Sequence, residues 1–132
     1  MLLDPLPELD DWLAFCEVVV VHLESPTWGE ALDRIAAAGI RGALAYSPGH
    51  SLEVDHPHGV DALVMSVEPG HGGSPFVPES LDRIAALAAR HDRVGVDGGV
   101  TELRARDARA AGATWIVSGT ALLADPHAFL SL

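Results

Sequence analysis

Lysine is absent from this 132-residue chain; all eight basic residues are arginines, set against nineteen acids. The formal net charge of −11 argues against nucleic acid or an anionic membrane as a partner. An anionic ligand would have to be held by backbone N–H groups and local dipoles. Cysteine is nearly absent too. Cys16 stands alone, which precludes an intrachain disulfide and fits a reducing compartment. Beside an apolar stretch, Cys16 reads as a buried, inert thiol. Long apolar runs are missing, and Val18–Val21 is far too short to span a membrane. The N-terminus carries acids and prolines where a leader has a basic and then an apolar segment, so a cytoplasmic location is expected. Aromatic residues make up only 5% of the chain, and Trp12, Trp28 and Trp115 are assigned to packing.

What is present is the composition of one globular domain, 48% apolar and 20% charged. Leu9–Phe15 reads as a short amphipathic helix, with Trp12, Leu13 and Phe15 as core contacts. Val18–Leu23 is β-branched and almost continuously apolar, the pattern of a strand buried on both faces. Ser25-Pro26 opens a helix running to about Ala38, closed by Gly39. Ile40–Tyr46 is the next strand. Ser47–Gly59 is a loop with one helical turn near Leu52. Asp61–Val67 is a third strand, followed by a glycine-rich loop over Glu68–Pro75. Pro78–His91 is an amphipathic helix, Arg93–Asp97 a strand, and Thr101–Ala111 a helix ended by Gly112. Ala113–Ser118 is the fifth strand, and Gly119 leads into a last helix reaching Leu132. Strands alternating with helices on short connections predict a parallel sheet. The expected class is α/β, a parallel (β/α) barrel of the TIM type cut to about five β/α units, as a single partial-barrel domain.

The run V-G-V-D-G-G-V at Val94–Val100 concentrates the chemistry. It places one carboxylate, Asp97, at the C-terminal end of a strand, before two glycines whose backbone can approach a ligand. The same pattern also fits a plain strand-to-helix turn with Asp97 capping the helix that starts near Thr101.

Two further loops follow neighbouring strands: M-S-V-E-P-G-H-G-G-S at Met65–Ser74 and V-S-G-T-A-L at Val117–Leu122. With V-D-G-G-V between them, and with V-V-H-L-E-S at Val20–Ser25 and A-G-I-R-G-A-L-A-Y-S-P-G-H-S-L-E at Ala38–Glu53, the chain resembles the ribulose-phosphate 3-epimerase family nearly throughout. The resemblance implies a phosphate-binding barrel that epimerises C3 of a pentulose 5-phosphate, a small-molecule sugar phosphate. It implies a divalent metal ion (Zn, Fe, Mn or Co) that steadies the enediolate. Asp97 matches the family's acid–base residue, which is also a metal ligand. Gly72, Gly73, Gly98, Gly99, Gly119 and Thr120 match its phosphate cradle, and Met65 the floor of its substrate pocket. His71 stands in that pocket where a phenylalanine is usual, and Ser74 where a glutamine is usual. The family's H-x-D pair, a further histidine and a serine have no counterpart. Met1 falls on the methionine just past that histidine, so the expected alternative is a catalytically incomplete, phosphate-binding half-barrel.

Other histidines read as structural. His22 lies at a strand end, and His50, His56 and His58 with Asp55 form a solvated loop. Five parallel strands that do not close leave bare edges, so a homodimer is expected.

Overall fold

The computed structural model describes residues 4–68 and 73–130. Five parallel strands form one sheet in chain order: β1 (Val18–His22), β2 (Arg41–Tyr46), β3 (Asp61–Met65), β4 (Val94–Asp97) and β5 (Trp115–Val117). Helices α1 (Leu9–Leu13), α2 (Trp28–Ala37), α3 (Ser80–Ala88), α4 (Glu102–Ala111) and α5 (Thr120–Ala124) complete it. This is an α/β partial barrel of the TIM type. No helix among the described residues is long and apolar enough to cross a membrane.

The sheet buries two separate clusters, because alternate strand residues point to opposite faces. On the outer face Leu44, Tyr46, Val64, Val94 and Val96 pack with Leu32 and Ile35 of α2, Ile84 and Leu87 of α3, and Ala105 and Ala108 of α4. On the inner face Ala45, Leu63 and Met65 cluster, with Trp115 packed against them. The Trp115 ring lies across β4 at Gly95, where an added Cβ would stand 2.3 Å from the indole. At the foot of the inner face, buried Asp61 receives Arg41 Nε at 3.1 Å and Arg93 Nε at 3.3 Å. That double ion pair links β2 and β3 to the residue just before β4.

Several expectations are corrected. Helix α1 stops at Leu13, and Trp12 and Phe15 are 46% and 72% exposed; only Leu9 of this helix is buried. Helix α2 begins at Trp28, two residues after Pro26, because Ser25 and Thr27 form a side-chain-bonded turn first (Oγ to Oγ1, 3.2 Å). No helical turn forms at Leu52, which packs on the outer core. The last helix breaks at Ala124. Asp125 is extended at φ −146° because it precedes Pro126, and a 3-10 turn over Pro126–Phe129 follows; Leu132 lies outside the described residues. Cys16 is half-buried, not enclosed.

The loop between β2 and β3 is not simply solvated. His56 accepts a hydrogen bond from Tyr46 Oη at Nδ1 (2.6 Å) and donates from Nε2 to the Val60 carbonyl (2.7 Å). Its ring stacks on Tyr46 and lies 4.1 Å from His91. Burial pushes His56 below the usual histidine range, which keeps it neutral and suits this pairing.

Candidate functional site

The C-terminal ends of β3, β4 and β5 converge on a cleft of about 730 Å³. Their loops are stitched to one another. Ser66 N–H donates to the Asp97 carbonyl (2.7 Å), Ser66 Oγ accepts from Val77 N–H (2.8 Å), and Ser118 Oγ donates to the Val100 carbonyl (2.8 Å). Gly98 and Gly99 carry φ of +110° and +62°, conformations that L side chains avoid. A Cβ on Gly98 would meet Val67 at 2.8 Å, and one on Gly99 would meet the Phe76 nitrogen at 2.7 Å. The turn after β4 is therefore wedged against the segment after β3, and only glycine fits.

Met65, Gly73, Asp97, Gly98, Gly99, Gly119 and Thr120 all line this cleft. Gly72 and His71 lie outside the described residues. Among the described residues no arginine lines the cleft, so an anion held by them would depend on backbone N–H groups and hydroxyls. The first N–H groups of α5 have no intrahelical acceptor, and Gly119 opens onto free space. Ser118 and Thr101 also line the cleft, as does a second acid, Glu68; none was singled out from the sequence, although Ser118 stands within V-S-G-T.

Asp97 is not the cap of α4. That position belongs to Thr101, whose side chain accepts from Arg104 N–H at 3.3 Å. Asp97 is half-buried in the cleft wall. Burial pushes its carboxyl above the usual range, opposed by a hydrogen bond from Gly98 N–H and by the charge of His22. A carboxyl raised in this way is suited to taking and returning protons.

The metal that the resemblance implies finds little here. No group of three or more His, Cys, Asp or Glu side chains among the described residues is placed to hold a metal ion. Asp97 alone does not fit a metal site, and a metal at Asp97 would need ligands from outside these residues.

Glycine turns and a raised carboxyl, gathered where parallel strands end, define the site of a TIM-type α/β barrel. The chain matches the model of the ribulose-phosphate 3-epimerase family over residues 6–123. It belongs to the ribulose-phosphate 3-epimerase family. A ribulose-phosphate 3-epimerase of Candida glabrata is 39% identical over 70% of this chain and 41% of its own length. The cytoplasmic isoform of that enzyme from Oryza sativa subsp. japonica is 32% identical, over 84% of this chain and 53% of its own. One from Synechocystis is 32% identical over 96% and 61%. The chain spans about half the length of the curated relatives it matches.

Proposed function

We propose that this chain binds a pentulose 5-phosphate in the cleft and that Asp97 moves the proton on C3. The observation that carries this reading is the placement of a raised carboxyl in the same cleft as the glycine turns after β3, β4 and β5. The C3 proton is acidic because it lies α to the C2 carbonyl. The Asp97 carboxylate takes it, the electron pair forms an enediolate, and reprotonation from the other face gives the epimer. The phosphate is held at Gly73, Gly99, Gly119 and Thr120, the donor side of the cleft.

A second reading is a binding half-barrel without turnover, favoured by the lack of any assembled metal-ligand group among the described residues. The test is C3 deuterium exchange of ribulose 5-phosphate in D2O, followed by NMR, beside equilibrium binding of the same sugar phosphate. Exchange supports the first reading. Saturable binding without exchange moves the conclusion to the second, and neither overturns both.

We further propose a homodimer, supported by the unpaired edges of β1 and β5 among the described residues. Light scattering at micromolar concentration should return twice the chain mass; a monodisperse monomer overturns it.

A further inference from the structure

We propose that Glu68 is a specificity-determining residue of the cleft: its carboxylate lies at the end of the sugar away from the phosphate and turns away ligands that carry a second anionic group there. The inference rests on the sugar-phosphate reading above and names the class of ligand which that site admits, a monophosphate with a neutral, hydroxyl-bearing end.

The charge around the cleft has one sign. The chain has no lysine, and all eight of its arginines lie among the described residues, none of them lining the cleft. Residues 69–72, which complete the loop after β3, add no lysine or arginine. Arg104 stands on the helix that starts at the cleft, but its guanidinium is turned to Asp107 at 3.3 Å and lies over the Phe76 ring. Among the described lining residues the titratable side chains are two acids, Asp97 and Glu68. Such a cleft can hold one dianion where backbone N–H groups and hydroxyls gather. It has no cation to hold a second.

The packing of the loops separates the two ends. Glu68 leaves β3 three residues after Met65. Val67 just before it is wedged against Gly98, where an added Cβ would stand 2.8 Å from its side chain. By residue 74 the loop has crossed to the next turn, since a Cβ on Gly99 would stand 2.8 Å from the Ser74 oxygen. Gly73 therefore belongs with Gly99, Gly119 and Thr120, where the phosphate is placed, and Glu68 with Met65 and Val67 on the β3 side. Strand β4 lies between β3 and β5, so two strand spacings set these sides about 10 Å apart, on the order of an extended pentulose 5-phosphate from phosphorus to C1. The β3 side presents a thioether, an isopropyl group and a carboxylate, with no donor side chain among them.

A hydroxyl at that end can donate to the Glu68 carboxylate, a charge-assisted hydrogen bond. A phosphate or carboxylate in the same place can only accept. It would lose water without gaining a donor, and it would meet a like charge. Discrimination is the difference between these two outcomes. Glu68 is exposed, so water and salt screen its charge, and the discrimination should weaken as ionic strength rises.

The test is equilibrium binding of ribulose 5-phosphate and of ribulose 1,5-bisphosphate to the native chain, Glu68→Gln and Glu68→Asp, at low and at high salt. The native chain is expected to prefer the monophosphate by about tenfold or more at low salt. Glu68→Gln should shrink that ratio by about three- to tenfold, and high salt should bring the native ratio toward the same value. Glu68→Asp keeps the charge and should keep most of the preference. A merely structural role for Glu68 would move both affinities together and leave the ratio alone. A native chain that binds the bisphosphate as tightly as the monophosphate overturns the proposal while the sugar-phosphate reading stands. So does an unchanged ratio in Glu68→Gln, or a ratio that collapses only in Asp97→Asn. No saturable binding of ribulose 5-phosphate to the native chain overturns both.

Discussion

Asp97→Asn is expected to cut C3 proton exchange of ribulose 5-phosphate by about 10²- to 10⁴-fold and to raise the unfolding midpoint at neutral pH. The two effects share a cause. Burial of Asp97 in the cleft wall disfavours its charged form, so the native fold carries a cost at pH 7 that the isosteric amide removes. The sign follows from linkage. A carboxyl raised in the folded state contributes stability that is fully present below its unfolded pKa and is lost as pH rises through the folded value. The native chain and the asparagine variant should therefore differ most near neutrality and converge as acid protonates Asp97. Because Asp97 is only half-buried, water screens part of this cost, and the expected gain is a small rise in Tm at neutral pH. Thermal unfolding of both proteins across pH checks it. A variant less stable than native at pH 7, or a gap that widens in acid, would show that Asp97 is a structural ion-pair partner.

Gly99→Ala should be the most damaging small substitution in the cleft, at about 2–4 kcal/mol. Part of the cost is a left-handed backbone imposed on a residue with a Cβ, about 1–3 kcal/mol. The rest is contact. The new methyl would stand 2.7 Å from the Phe76 nitrogen, 2.8 Å from the Ser74 oxygen and 3.1 Å from the Pro75 carbon. All three are main-chain atoms, and the loop that owns them cannot yield by turning a side chain. Gly73→Ala is the natural comparison, since it also has positive φ, +86°, but its Cβ would meet nothing within 4 Å among the described residues. Denaturant melts of both should show Gly99→Ala costing clearly more, and sugar-phosphate binding should weaken with it. Equal costs would mean that the turns after β3 and β4 are not packed together.

The order of the strands was legible because β2 and β3 are apolar almost without break, as strands covered on both sides must be, whereas β3 and β5 end shorter than expected, at Met65 and at Trp115–Val117. That same continuity hid which residues face inward. Trp115 was read only as packing, and nothing in W-I-V says that its ring crosses the inner face over a glycine three strand-pair registers from His22. The cleft was legible through its glycines, of which Gly98 and Gly99 are demanded by the backbone, and through the lone carboxylate of Asp97 beside them. Glu68 and Ser118 were not, because common polar residues gain meaning only once distant loops meet. The break at Ala124 is readable from Pro126, which holds the preceding Asp125 out of the helical region. His56 looked solvated because its partner, Tyr46, is ten residues away on another element.

In this sheet the spatial order of the strands is the order of synthesis. Each strand leaving the ribosome finds its only preceding neighbour already laid down, so assembly proceeds by accretion with no wait for a distant partner. The cleft is completed last, since β5 and α5 form its final wall. A nascent chain would thus hold a settled scaffold, with Asp97 already in place, before the last wall of the cleft forms.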